Sequence, residues 1–166
     1  YTADPMDKLP EITYWLLGSF TSAAYKKIAI GSPLIIAGII VVYLLRWRLN
    51  ILSLSEDEAK ASGIDLKKTR MIFIVAATVI TASCVSMCGQ VGWIGLLIPH
   101  CARMLTGSNN RYVIPVSISL GASFMILIDT LSRSVSVIEL PLSVLTAIIG
   151  APVFISLLQK NRRNLR

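Results

Sequence analysis

Charge is scarce in this sequence. Only 15% of its 166 residues are charged, aspartate and glutamate together number 9, and there is 1 histidine. That shortage excludes an ordinary soluble surface, on a chain where about a quarter of residues would be charged. No G-x-x-x-x-G-K-S/T phosphate loop occurs, so the chain does not bind ATP by that device. An H-E-x-x-H pair, a nucleophile elbow and paired catalytic carboxylates are missing too, and no enzymatic activity is expected. Cysteine is rare: Cys84, Cys88 and Cys101 all sit inside apolar runs. Cys84 and Cys88 share a helical face, but a metal centre needs further ligands close by, and the sequence supplies none. The three read as small apolar core residues, with no metal or cofactor implied. The opening stretch YTADPMDKLPE lacks the basic n-region, apolar core and cleavage site of a signal peptide. Because it begins on Tyr1 rather than Met, the chain is expected to be a fragment.

What is abundant is hydrophobic surface: 54% of residues are apolar and the mean hydropathy is +0.69. Four long apolar segments stand at 28–45, 71–88, 112–131 and 140–158. Each can cross a hydrocarbon core about 30 Å thick, which takes ~20 residues. Cations gather at their ends. Arg46 and Arg48 follow the first, Lys60, Lys67, Lys68 and Arg70 precede the second, and Lys160, Arg162, Arg163 and Arg166 close the chain. The positive-inside rule puts all of these in the cytoplasm. Parity then requires a fifth crossing, and 91–105 (VGWIGLLIPHCARML) supplies it. A proline removes a backbone hydrogen bond, so Pro99 is read as the break in this short span, with Gly92 and Gly95 before it.

The predicted fold is therefore all-α, a polytopic membrane helical bundle. Residues 1–27 form an outer segment with a short helix. Residues 28–166 form the bundle, with spans at about 28–47, 71–89, 91–106, 112–132 and 140–159. Adding Arg103 and Arg111 to the ten cations above puts 12 of the 16 on the cytoplasmic side. The net charge of +7 thus follows membrane topology, and no nucleic-acid partner is expected. Small residues should mark helix contacts, since apolar burial gains little against lipid: Ser119 with Ser123, Ala147 with Ala151, and the series Gly89, Gly92, Gly95.

Polar features lie at the ends of the spans. The loop 49–70 (LNILSLSEDEAKASGIDLKKTR) is too polar for lipid. Ser55 followed by Glu56, Asp57 and Glu58 reads as an N-cap with acids in the first turn, and Gly63 as a stop. The short helix this predicts over 56–62 has the form of a docking element. An interfacial helix on lipid headgroups is the alternative, which three adjacent acids oppose. Asp129 and Arg133 form an i,i+4 pair at the outer end of the fourth span. His100 follows Pro99 directly, and its ring is expected to take up carbonyls freed by that proline.

Four segments carry a resemblance. WLLGSF (15–20) is similar to W-x-x-G-S, and LNILSLSEDEAKASGI (49–64) to L-x-x-L-x-L-G-x-x-x-A-x-x-L-G. GQVGWIGLLIPHCAR (89–103) is similar to G-x-I-G-F-I-G-L-I-V-P-H-x-x-R, and ELPLSVLTAIIGAPVFISLL (139–158) to E-L-P-x-G-V-x-T-A-x-x-G-x-P-x-F-x-x-L-L. In this order and spacing they resemble the FecCD-type permeases of ABC importers for iron-siderophores, haem, cobalamin and related chelates. Ser55, Ser62 and Ser143 depart from the usual glycine, leucine and glycine. The resemblance implies a ten-span subunit of the bacterial inner membrane, acting as a homodimer. This chain would be its last five spans and the periplasmic segment before them. It further implies that Leu54, Glu56, Glu58, Ala59, Ala61 and Gly63 couple to a cytoplasmic ATPase. Arg133 would then dock a periplasmic substrate-binding protein through a glutamate, in competition with Asp129. A metal chelate would move inward at the expense of ATP hydrolysed by the partner. A carrier driven by an ion gradient is the alternative, with Asp129 as its candidate acid; a non-transporting scaffold is a third reading.

Overall fold

The computed structural model describes residues 8–20, 24–54, 58, 63–135 and 140–163. Every regular element among them is a helix: α1 (Lys8–Leu17), α2 (Tyr25–Leu45), α3 (Arg48–Ile51), α4 (Leu66–Cys88), α5 (Ile94–Thr106), α6 (Asn110–Val135) and α7 (Leu142–Arg163). Three described helices are long and apolar enough to cross a membrane: α2, α4 and the Asn110–Ser134 part of α6. Ile94–Thr106 and Leu142–Ser156 are shorter apolar helices.

Local chemistry sets the helix ends. α4 starts at Leu66, ahead of the apolar run at 71, because Asp65 caps it: the carboxylate accepts from the Lys68 amide at 3.1 Å and the Asp65 carbonyl from Thr69 at 3.0 Å. Lys67, Lys68 and Arg70 thereby join the helix, and their long stems can carry the charge away from the apolar layer. α4 stops at Gly89 and α5 at Gly107, with φ of 75° and 78°, values open to glycine at little cost.

The helices run alternately between two ends of the bundle. α2 and α4 are antiparallel, Gly31 lying against Met87 and Gly38 against Ile80. α5 and α6 form a hairpin in which Gly121 faces Ile98 at 3.8 Å. α7 runs alongside α5, with Gly150 near Trp93 and Leu97 and with Phe154 edge-on to His100. The buried core is small and lies mainly among α5, α6 and α7, with Leu97, Ile98, Ala102, Val113, Ile128, Leu142 and Thr146, and Ala76 is buried on α4. The outside is apolar instead. Ile30 is 72% exposed, Leu105 71%, Ile126 67% and Ile148 64%. A surface of this kind fits lipid or further protein, where water would penalise it.

Three sequence expectations are not met among the described residues. The chain leaves helix over 89–93, at Gly92 among the residues read as the span break, and not at Pro99. Trp93 has φ 64° and ψ −33°, and the Ile94 amide bonds back to the Gly92 carbonyl at 2.7 Å. This is a γ-turn of the rare strained hand. α5 then continues through Pro99, whose missing N–H deprives one carbonyl of a partner without ending the helix. Gly92 and Gly95 make no contact within this chain: among the described residues no atom comes within 4 Å of where a Cβ would stand. Ser119 and Ser123 are exposed and bond back to carbonyls of their own helix, at Pro115 and Ser119.

Candidate functional site

At one end of the bundle the chain leaves α2 through an aromatic and cationic collar. The Arg46 guanidinium lies 4.0 Å from the Tyr43 ring centre and that of Arg48 5.3 Å from Trp47. Aromatic rings and cations together suit the level where hydrocarbon meets water. α3 comes next, then a turn to Leu54, which is exposed. Glu58 is helical and exposed, and Gly63 has φ 71° with open space around it. Glu56, Ala59 and Ala61 lie outside the described residues, as does most of the predicted 56–62 helix. Between Gly63 and α4 a groove of about 800 Å³ is lined by Ile64, Asp65, Lys67, Arg70 and Met71 among others. The Asp65 carboxyl is held below the usual carboxylate value, chiefly by the Lys68 amide.

The same end is tied across the fold. The Asn50 side chain donates to Asn109 Oδ1 at 2.8 Å, and its own Oδ1 accepts from the Asn110 amide at 2.9 Å. Asn109 Oδ1 also accepts from the Arg111 amide at 3.0 Å. The end of α2 and the α5–α6 turn therefore stand at one level.

The opposite end gathers α1, the α4–α5 connection and the start of α7. The Ser19 amide donates to the Cys88 carbonyl at 2.9 Å and the Leu142 amide to the Gly18 carbonyl at 3.1 Å. The Ser143 hydroxyl donates to the Leu17 carbonyl, so the serine at this position makes a bond that glycine lacks. Nearby on α6, Ser132 reaches the Leu140 carbonyl at 2.5 Å. Arg133 Nε lies 3.1 Å from both carboxylate oxygens of Asp129, with half of the arginine side chain exposed. The local pair read from the sequence forms, and it leaves guanidinium surface open. His100 departs from expectation: its Nε2 is buried with no hydrogen-bond partner among the described residues, and the ring packs against Phe154 at 6.0 Å.

Residues 2–160 match the FecCD transport family. The chain belongs to that family. FecCD relatives include the molybdate import system permease MolB of Haemophilus influenzae, 42% identical over 98% of this chain and 48% of that protein. Another is the Fe(3+) dicitrate transport system permease FecC of Escherichia coli, 37% identical over 90% of this chain and 45% of that protein. A solved structure described as an inward-facing conformation of a metal-chelate type ABC transporter aligns with TM-score 0.91 and 41% identity, over 96% of this chain and 52% of that one. The chain thus spans about half the length of the FecCD relatives it matches. Family and fold agree on a helical membrane bundle of multi-pass, permease type.

Sequence reading missed the Asn50 clasp and the Trp93 turn. Each joins or bends backbone in a way that periodicity does not encode, and asparagines beside a turn glycine such as Gly107 are common caps on their own account.

Proposed function

We propose that the full-length protein is the transmembrane subunit of an ATP-driven importer for metal chelates or a similar bulky solute. The observation that carries this reading is the 41% identity and TM-score of 0.91 to a transporter of metal-chelate type. Relatives named for Fe(3+) dicitrate, cobalamin and molybdate keep the solute class at bulky or oxyanionic metal species.

In this reading the five helices α2, α4, α5, α6 and α7 are the last five spans of ten, in the bacterial inner membrane, and a second copy completes a homodimer. The Asn50 end faces the cytoplasm, in keeping with the cations at that end and with the collar around Arg46 and Arg48. Residues 1–27 and the Arg133 end face the periplasm. Leu54, Glu56, Glu58, Ala59, Ala61 and Gly63 form the surface that seats in a cytoplasmic ATPase. Nucleotide closure of two ATPase subunits draws the two loops together, and the helices pass that motion to the far side, opening one face while the other seals. Arg133 docks the substrate-binding protein when a glutamate of the partner displaces Asp129. Asp129 is engaged by Arg133 near the end of α6, which leaves the ion-gradient alternative without support from this acid.

Co-purification tests the reading. Full-length permease carrying Glu56→Lys and Glu58→Lys is expected to insert normally and to lose its ATPase partner. Retention of the ATPase at wild-type yield would overturn the coupling assignment.

A further inference from the structure

Helix α6 begins with its first three amides, those of Asn110, Arg111 and Tyr112, all engaged, and one of them is engaged from far away in the chain. Asn109 serves two of them: its side chain takes the Arg111 amide at 3.0 Å and its carbonyl that of Tyr112 at 3.0 Å, while the Val113 amide makes the first ordinary helical bond to the same carbonyl at 3.1 Å. The remaining one, Asn110 N–H, is taken by Asn50 Oδ1 at 2.9 Å. A helix leaves such donors unsatisfied unless something caps them, and here the cap is supplied by the segment that leads out of α2. The same Asn50 amide donates its N–H to Asn109 at 2.8 Å. Both side-chain orientations are fixed by their surroundings, because the Asn110 and Arg111 amides can only donate and so demand oxygens.

Asn50 is also bound tightly to the next few residues. Its carbonyl accepts from the Ser53 hydroxyl at 2.6 Å and the Ser53 amide at 3.3 Å, while the Leu54 amide reaches the Ile51 carbonyl at 3.1 Å. Residues 47–54 therefore form a continuous hydrogen-bonded run from the collar to the first residue of the proposed ATPase-docking surface. At its other end α6 carries Asp129 and Arg133, 26 helical residues covering about 39 Å at the usual rise.

We propose that Asn50 is a positioning residue that clamps the ATPase-docking loop to the N-terminus of α6, so that α6 carries loop displacement across the membrane to the Arg133 end. The inference rests on the importer reading given above. Without the clamp, movement of the loop would be absorbed in the turns at 46–54 and would reach α6 weakly, since hydrogen-bond networks and rigid helices are what carry displacement between distant sites.

The test uses the full-length permease with its ATPase and binding protein in liposomes, and reads solute imported per ATP hydrolysed. Asn50→Ala is expected to lower that ratio about tenfold, within the usual range of coupling between sites. ATPase co-purification should stay at the wild-type level. Asn109→Ala, at an exposed position, is expected to lower the ratio similarly, and the double variant to fall no further than either single one. Asn109→Asp keeps both acceptor roles and should preserve the wild-type ratio. An unchanged ratio in Asn50→Ala and Asn109→Ala, with transport and hydrolysis either intact or reduced in parallel, would overturn the proposal and leave Asn50 as a helix cap. If the wild-type complex imports without consuming ATP, the importer reading fails first and the clamp falls with it.

Discussion

Gly89, Gly38 and Gly95 look alike in the sequence and differ in what a methyl group would meet. At Gly89, with φ 75°, a Cβ runs into the backbone carbonyl of Trp15, which cannot move aside. Gly89→Ala is expected to cost several kcal/mol, since strain at a left-handed position of ~1–3 kcal/mol adds to the clash. At Gly38 the obstacle is the Ile80 side chain, and Gly38→Ala should cost about 1–3 kcal/mol through overpacking of α2 against α4. Gly95 has open space, so alanine there should raise helix stability by up to ~1 kcal/mol. Thermal unfolding of the full-length protein in detergent ranks the three. The sequence reading placed helix contacts at Gly89, Gly92 and Gly95 and passed over Gly31 and Gly38. Which glycine is a contact depends on the helix it faces, and a single pattern of small residues does not report the facing helix. Arg133 offers a second prediction. Asp129 competes with any docking carboxylate, so Asp129→Ala should tighten binding of the substrate-binding protein, while Arg133→Ala should weaken it by about tenfold, the scale of one lost charge-assisted hydrogen bond of ~1.4 kcal/mol or more. Affinity measured on the full-length permease in nanodiscs checks both signs.

Among the elements, α4 shows why the interiors of spans were legible and their edges less so. A hydropathy window stops at Lys68 and Arg70, yet the helix begins at Leu66 because Asp65 supplies the cap. The folded-state pKa of Asp65 lies below the ordinary value near 3.8. Its capping contribution is therefore complete above that value and lost as pH falls through the lowered folded one. The protection factor of the Lys68 amide, its exchange rate taken against the intrinsic rate at each pH, should fall across that acid range in the wild-type protein and stay low at every pH in Asp65→Ala. The α4–α5 connection is a second case. Proline has a rule attached, whereas the chain leaves helix over 89–93 and turns back at Trp93, a residue with no turn signature. A γ-turn at a bulky residue persists because its surroundings hold it, here with Gly150 beside it: a Cβ placed on Gly150 would stand 3.4 Å from that of Trp93. Gly150→Leu should separate α7 from α5 and lower thermal stability, whereas Gly150→Ala, at ordinary contact distance, should not.

For the molecule as a whole, the motif segments at 15–20, 49–64, 89–103 and 139–158 point to the family before any helix is assembled, and residues 2–160 match it. The two ends of the bundle are less legible. The Asn50 clasp closes across 59 residues, a separation at which sequence offers no local rule. The apolar exterior and the small core belong to a chain that matches about half of its relatives' length, and in the importer reading the rest of that surface meets lipid, the preceding spans and a second copy. The central claim of that reading is that movement of solute is powered by ATP hydrolysed in a partner. The most direct measurement is uptake into vesicles holding the full-length permease, its ATPase and its binding protein, with labelled ferric chelates, cobalamin and molybdate offered in turn. Uptake of one of these that requires hydrolysable ATP, and persists when ion gradients are collapsed, is the expected result. Uptake that continues without ATP and stops when an ion gradient is dissipated would contradict it.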